Sequence, residues 1–192
     1  MSLQILFGAA LVFAMAVPTV QGKDVMHVGI RDGYLKSLEY KDVWAAAKAI
    51  GVNRLEVVVT PELNCSNLYE PDGSTHKIGD KASISRLKKT LKKQRISICA
   101  FTTVIPLSGE QTPTQVQQWV SAVDKVAQQL KVPVLMMPLI AKGIEDDEFI
   151  KRAREFVVPL ETVARQTGLQ LTIENLGHYL NREEILDPIL NL

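Results

Sequence analysis

Five short, mostly apolar runs recur along the chain, and longer amphipathic segments separate them. The runs are VMHVGI (residues 25–30), RLEVVV (54–59), ISICAF (96–101), VPVLMMP (132–138) and LQLTIEN (169–175). Near-continuous apolar strands are typical of parallel sheets whose two faces are both covered. The pattern therefore predicts an α/β protein of about five βα units in consecutive order.

Helix signals mark the segments between these runs. Asp80 can cap a helix at its first turn, and Thr112 followed by Pro113 is a second N-terminal signal. Pro159 lies inside a long amphipathic segment and should kink it. The predicted helices cover residues 40–51, 81–95, 112–130, 145–168 and 181–190, whereas residues 60–80 are predicted to form a long polar loop.

Two architectures accommodate five such units. A doubly wound, flavodoxin-like sheet is complete in a chain of 192 residues, whereas a closed (β/α)8 TIM barrel needs about 250. However, the first strand is followed by RDGYLK (31–36), which is not a glycine-rich phosphate loop. A strand order of 2-1-3-4-5 would indicate the flavodoxin-like sheet, and consecutive order with barrel-like curvature would indicate a partial barrel.

Charged and polar side chains stand where the predicted strands end. Arg31 and Asp32 follow the first strand, Glu174 and Asn175 end the fifth, and His178 comes shortly afterwards. Ligands of parallel α/β sheets bind outside the carboxyl ends of the strands. These five residues are therefore candidates for a ligand-binding rim in either architecture.

Two carboxylates have structural explanations as well as functional ones. Glu56 lies inside an apolar strand, where its burial is costly unless a cation such as Arg31 or His27 accompanies it. Glu174 could end its strand in a salt bridge, for instance with Arg182. Both carboxylates are candidates for ligand binding, with structural ion pairs as the alternative.

The charge balance argues against a nucleic-acid partner. The chain has 22 basic and 21 acidic residues, and no basic run is interleaved with aromatic side chains. The densest basic stretch, residues 86–93, fits the solvated face of a helix. Cys65 and Cys99 have neither the spacing of a zinc ribbon nor the number of a disulfide framework.

The N-terminus differs from the rest of the chain. Residues 1–22 carry no charged side chain, and residues 5–17 form an unbroken apolar run. That length fits the core of a signal peptide, because a membrane span needs roughly 20 apolar residues. Cleavage before Lys23 would leave residues 23–192 as a single exported domain, periplasmic or extracellular, without a stable membrane span.

The order of these pieces resembles the xylose isomerase-like TIM-barrel family, the sugar phosphate isomerase/epimerase superfamily. The resemblance covers about residues 25–190. Its most specific elements are GVNRLEV, which contains Glu56, and IEN, which contains Glu174. It is carried by the segments HVGIRDGYL, AIGVNRLEVVV, ISICAFTTVI, VPVLMMPL and LTIENLGHYLN in that order.

The resemblance implies a metal-dependent proton transfer. In that family a glutamate at the end of strand five binds a divalent metal (Mn²⁺, Mg²⁺, Co²⁺ or Zn²⁺) and takes part in proton transfer, and Glu174 matches it. The other family ligands, an aspartate, a histidine and a second glutamate, belong to later strands. The resemblance therefore implies a barrel truncated after strand five. One carboxylate is a poor site for such a cation, because oxygen-ligand sites use several donors.

The implied function is that of a sugar (phosphate) isomerase or epimerase acting on a small sugar or polyol. Glu174 would be the metal ligand and proton-transfer residue, and Glu56 would contact substrate together with Arg31, Asp32, Asn175 and His178. Activity of the chain is expected to be weak or absent. The alternative is a non-catalytic carbohydrate-binding or oligomer-forming half barrel, in which exposed strand edges pair between copies.

Overall fold

The computed structural model describes residues 29–191, in which short strands alternate with helices. The strands are β1 (Ile30–Arg31), β2 (Arg54–Val58), β3 (Asn64–Tyr69), β4 (Thr75–Lys77), β5 (Ser97–Thr102), β6 (Ile105–Pro106), β7 (Val134–Ile140) and β8 (Gln170–Glu174). The helices are α1 (Asp32–Lys36), α2 (Val43–Ala49), α3 (Lys81–Gln94), α4 (Pro113–Leu130), α5 (Asp146–Thr167), α6 (Gly177–Leu180) and α7 (Glu183–Leu190).

The main sheet is parallel and its strands follow one another in chain order. The order is β1-β2-β5-β7-β8, and β2, β5, β7 and β8 are the strands predicted from the last four apolar runs. The short β6 also pairs with β7, beyond the end of β5. The flavodoxin-like alternative is therefore wrong, because it requires the first two strands to exchange places. Within residues 29–191 the arrangement is a partial, open TIM-like barrel.

The helix ends follow the signals in the sequence. Asp80 accepts a hydrogen bond from the backbone N–H of Ser83 at the start of α3, and Thr112 forms a capping box with Gln115 at the start of α4. Each of these side chains satisfies an N–H group that has no partner within its helix. Pro159 does not interrupt α5, which continues on both sides of it.

The predicted loop at residues 60–80 is an antiparallel hairpin, β3–β4, so this part of the prediction was wrong. Its strands are too polar to show the apolar runs by which the others were recognised. The tip contains Asp72-Gly73, where Gly73 has a φ of 79° and Asp72 accepts from the backbone N–H of Ser74. The hairpin supplies Asn67, which contacts the end of β2 through Asp32.

The two faces of the sheet differ in burial. On β2, Leu55 and Val57 are fully buried, whereas Glu56 between them is only partly buried. Side chains alternate between faces along a strand. The outer face is therefore packed under the helices, and the inner face, which carries Glu56, remains partly open. The candidate site lies on that inner face.

Two predictions concern residues that lie outside the described range. They are the proposed signal peptide, residues 1–22, and most of the first predicted strand, residues 25–28. Among residues 29–191 no helix combines the length and the apolar character that crossing a bilayer requires.

Candidate functional site

An arginine joins two carboxylates on the inner face. Arg31, at the end of β1, donates from Nε to Glu56 Oε1 at 2.5 Å and from Nη2 to Glu174 Oε2 at 2.7 Å. The exposed fractions of the Arg31, Glu56 and Glu174 side chains are 23%, 17% and 25%. We call these three residues the ion-pair cluster.

The cluster shows that the sheet is strongly curved. Three strands lie between β1 and β8, so a flat sheet would hold them roughly 19 Å apart at about 4.8 Å per strand. Arg31 nevertheless reaches Glu174 directly. The sheet must therefore curl toward its inner face, as the wall of a barrel does, and the two side chains meet across the interior.

Each member of the cluster is placed by its strand. Arg31 and Glu56 are register partners on β1 and β2, which brings the predicted countercharge beside Glu56. Thr102, at the end of β5, donates from Oγ1 to Glu56 Oε1 at 2.6 Å. Glu174 ends β8 and pairs with Arg31 rather than with Arg182.

The cluster retains unused hydrogen-bonding groups. Within residues 29–191, hydrogen bonds engage Nε and Nη2 of Arg31 but not Nη1. Glu56 and Glu174 each bond through one oxygen, which leaves Glu56 Oε2 and Glu174 Oε1 as acceptors. Because a guanidinium has five donors and a carboxylate several lone pairs, the cluster can bind further polar groups. Adjacent donors and acceptors of this kind complement the hydroxyl groups of a polyol.

The charges within the cluster stabilise one another. Partial burial lowers the pKa of the Arg31 guanidinium, but the hydrogen bonds and negative charges of Glu174 and Glu56 outweigh this effect. The resulting pKa lies above its ordinary value, so Arg31 remains a permanent cation between the two carboxylates.

Asp32 is adjacent to Arg31 in the sequence, but its hydrogen bonds stabilise the fold. Its side chain is fully buried and accepts from the backbone N–H of Val58 and from Asn67 Nδ2, both at 3.1 Å. Burial raises the pKa of Asp32 to about 6. The substrate contact predicted for Asp32 stays a prediction, because its carboxylate faces protein groups in this structure.

Asn175 and His178 lie at the rim after β8. Both are exposed, and neither side chain hydrogen-bonds to another described residue. The imidazole of His178 lies edge-on to Tyr179, with ring centroids 5.4 Å apart. The structure therefore does not join these two residues to the ion-pair cluster, and their predicted substrate contacts stay predictions.

Three further side chains near the site were not among the predicted residues. Met136 faces Arg31, with its sulfur 3.5 Å from Nη2. The Thr172 hydroxyl is buried without a hydrogen-bond partner in the described part of the chain. Asn67 lies in the hairpin that was predicted to be a loop. The two-residue spacing of Thr172 and Glu174 could have revealed their common face.

The described residues do not by themselves fit a divalent metal. Between Gly29 and Asn191, no group of three or more histidine, cysteine, aspartate or glutamate side chains could hold a metal ion. The two carboxylates that do converge, Glu56 and Glu174, share the guanidinium of Arg31. The metal site implied for Glu174 is therefore not formed by the described residues.

The fold is similar to that of a solved structure. A crystal structure of a sugar phosphate isomerase/epimerase from Parabacteroides distasonis ATCC 8503 matches 87% of this chain with a TM-score of 0.55 and 12% sequence identity. This chain covers 63% of that protein's length. At this identity the likeness concerns the fold alone. No known family model matches the sequence, nor does any curated protein.

The fold and the cluster together define a class. The chain has the parallel βα arrangement of a partial TIM-type barrel. The ion-pair cluster lies on the inner face, and two of its members, Arg31 and Glu174, are at the carboxyl ends of their strands, where ligands of such barrels bind.

Proposed function

We propose that this chain is a sugar isomerase/epimerase-like protein that binds a small sugar or polyol at the ion-pair cluster. The observation that carries the proposal is the contact of Arg31 with both Glu56 and Glu174 across the barrel interior. A partly buried charge network of this kind costs desolvation energy that apolar side chains would not. The position of Arg31 and Glu174 at the ends of their strands favours a binding role over a purely structural one.

The substrate class follows from the groups that the cluster leaves available. The carboxylate oxygens Glu56 Oε2 and Glu174 Oε1 can accept from hydroxyl groups, and Arg31 Nη1 can donate to a hydroxyl or carbonyl oxygen. A hydroxy-ketone offers both kinds of partner on neighbouring carbons. Thr102 holds the Glu56 carboxylate in place and so fixes one end of the arrangement.

The proposed chemistry is proton transfer at the carbon next to the carbonyl. Glu174 would accept that proton, and the charge that develops on the carbonyl oxygen would be stabilised by Arg31. Glu56 would bind a neighbouring hydroxyl group. Because Glu174 is already engaged by Arg31, we expect the reaction to be slow, with proton exchange more readily detected than net epimerisation.

Exchange of substrate hydrogen for deuterium tests the reaction. The chain is incubated in D₂O with a panel of ketoses, with and without Mn²⁺ or Co²⁺, and the signal of the hydrogen next to the carbonyl is followed by NMR. We expect slow exchange that is lost in Glu174→Gln and retained in Glu184→Gln, which alters an exposed carboxylate. Equal exchange in both variants would contradict the role of Glu174, and rapid epimerisation by the wild type would contradict the expected slow reaction.

A second candidate function is a non-catalytic, oligomer-forming half barrel. Within the described residues β8 pairs with β7 on one side only. Beside it lies a groove whose apolar lining includes Leu171, Ile173 and Leu190. Pairing between two copies at this edge would satisfy backbone groups and cover the groove. Light scattering should then show a dimer, and a stable monomer at high concentration would contradict this candidate.

A further inference from the structure

We propose that the Arg31 guanidinium is the resident cation of this site and keeps a divalent metal away from Glu56 and Glu174. The proposal deepens the proposed function and rests on it only for the nature of the ligand. Ligand binding at the inner face is therefore independent of divalent metal.

The guanidinium occupies the coordination space between the carboxylates. Its Nε and Nη2 atoms lie 2.5 and 2.7 Å from Glu56 Oε1 and Glu174 Oε2. A divalent cation shared by these carboxylates would need oxygen contacts of about 2.0–2.6 Å. It could form these contacts through the same two oxygens only by displacing the guanidinium.

The surrounding side chains offer little to compensate for that displacement. Asp32 is fully buried and accepts from Val58 and Asn67. Thr102 donates its hydroxyl hydrogen to Glu56 Oε1 and so occupies acceptor capacity of that oxygen that a metal would need. Met136 contributes a thioether sulfur, a soft ligand that Mn²⁺ and Mg²⁺ disfavour.

The charge balance leads to the same conclusion. With Arg31 present the cluster carries one net negative charge, and a divalent cation would be placed beside a permanent positive one. Without the arginine the two carboxylates carry two negative charges, which a divalent cation would neutralise. Arg31 is therefore the residue that decides whether these carboxylates attract a metal.

The same guanidinium can supply the positive charge that a bound ligand oxygen requires. Its Nη1 hydrogens are not engaged by the described residues and can donate to a ligand oxygen. A planar, always-charged guanidinium binds a carbonyl or oxyanion without any requirement for a metal. Ligand affinity should therefore be the same in excess EDTA and in Mn²⁺.

Titration with Mn²⁺ alone tests the proposal without any sugar. The full chain is stripped with EDTA and exchanged into metal-free buffer, and free Mn²⁺ is then counted by electron paramagnetic resonance. Wild type, Glu174→Gln and Arg31→Lys should bind equally little. Arg31→Met should bind Mn²⁺ at least about tenfold more tightly than wild type, and Arg31→Met with Glu174→Gln should lose that gain. Circular dichroism establishes that each variant is folded.

Two results would overturn the proposal. One is stoichiometric Mn²⁺ binding by the wild type that Glu174→Gln abolishes, because the metal would then coexist with Arg31. The other is a folded Arg31→Met variant without increased Mn²⁺ binding. If Arg31→Met does not fold, the comparison of wild type with Glu174→Gln decides the question. Failure of every sugar to bind would contradict the proposed function but leave these metal titrations interpretable.

Discussion

Arg31 and Glu174 are joined by a 2.7 Å hydrogen bond although three strands of the sheet lie between theirs. They are separated by 143 positions in the sequence and lie on the first and last described strands. The bond exists because the parallel sheet curls, so that strands far apart along it face each other. The contact between Arg31 and Glu174 on the inner face therefore depends on the strand order and curvature of the sheet.

Removal of the shared cation should destabilise the fold. In Arg31→Met two partly buried carboxylates lose their countercharge, and we expect the free energy of unfolding to fall by roughly 2–4 kcal/mol. Urea denaturation measures this change. In the double-mutant cycle with Glu174→Gln the two losses should be less than additive, by about 0.5–3 kcal/mol. Additive losses would mean that the two side chains do not interact in solution.

The burial of Asp32 should make stability depend on pH. The pKa of Asp32 is raised from 3.8 to about 6 by burial, so the folded state binds a proton more tightly than the unfolded state does. This contribution is fully present below about pH 4 and is lost as the pH rises through 6, by an amount on the order of 3 kcal/mol.

Asp32→Asn removes this titration. The difference in unfolding free energy between wild type and Asp32→Asn should therefore change between pH 4 and pH 7, with the wild type relatively more stable at the lower pH. Denaturation curves at several pH values measure it. A difference that stays constant over this range would show that Asp32 does not titrate there.

The stability of the β3–β4 hairpin should depend on the indole N–H of Trp44. Its Nε1 donates to Glu70 at 3.0 Å, and Glu70 also lies 2.7 Å from His76 Nε2. Trp119 is equally buried, but its Nε1 has no partner among the described residues. Trp44→Phe should therefore cost about 1 kcal/mol more than Trp119→Phe in thermal or chemical denaturation. Equal costs would contradict a stabilising role for the Glu70 contact.

The strands of the main sheet could be predicted because their burial on two faces leaves a signal in the sequence. Apolar runs located β2, β5, β7 and β8, and capping residues located α3 and α4. The hairpin could not be found in this way, because its strands are short and polar and its pairing depends on contacts with α2 and β2.

The site could be predicted as a set of residues but not as an arrangement. The sequence named Glu56, Glu174 and Arg31 as candidates, and it gave Arg31 or His27 as the countercharge of Glu56, of which the structure shows Arg31. It did not indicate that Arg31 also reaches Glu174, because that contact depends on the curvature of the whole sheet. The metal implied by the family resemblance likewise depends on which groups converge in three dimensions.

The central claim is that the ion-pair cluster binds a small sugar or polyol, and ligand affinity measured by saturation-transfer NMR tests it most directly. Ketoses and linear polyols are titrated against the wild type, Glu174→Gln and the exposed control Glu184→Gln. Loss of a charged hydrogen-bond partner should weaken binding about tenfold or more in Glu174→Gln and leave Glu184→Gln like the wild type. Binding that is the same in all three proteins, or absent from the wild type, would contradict the claim.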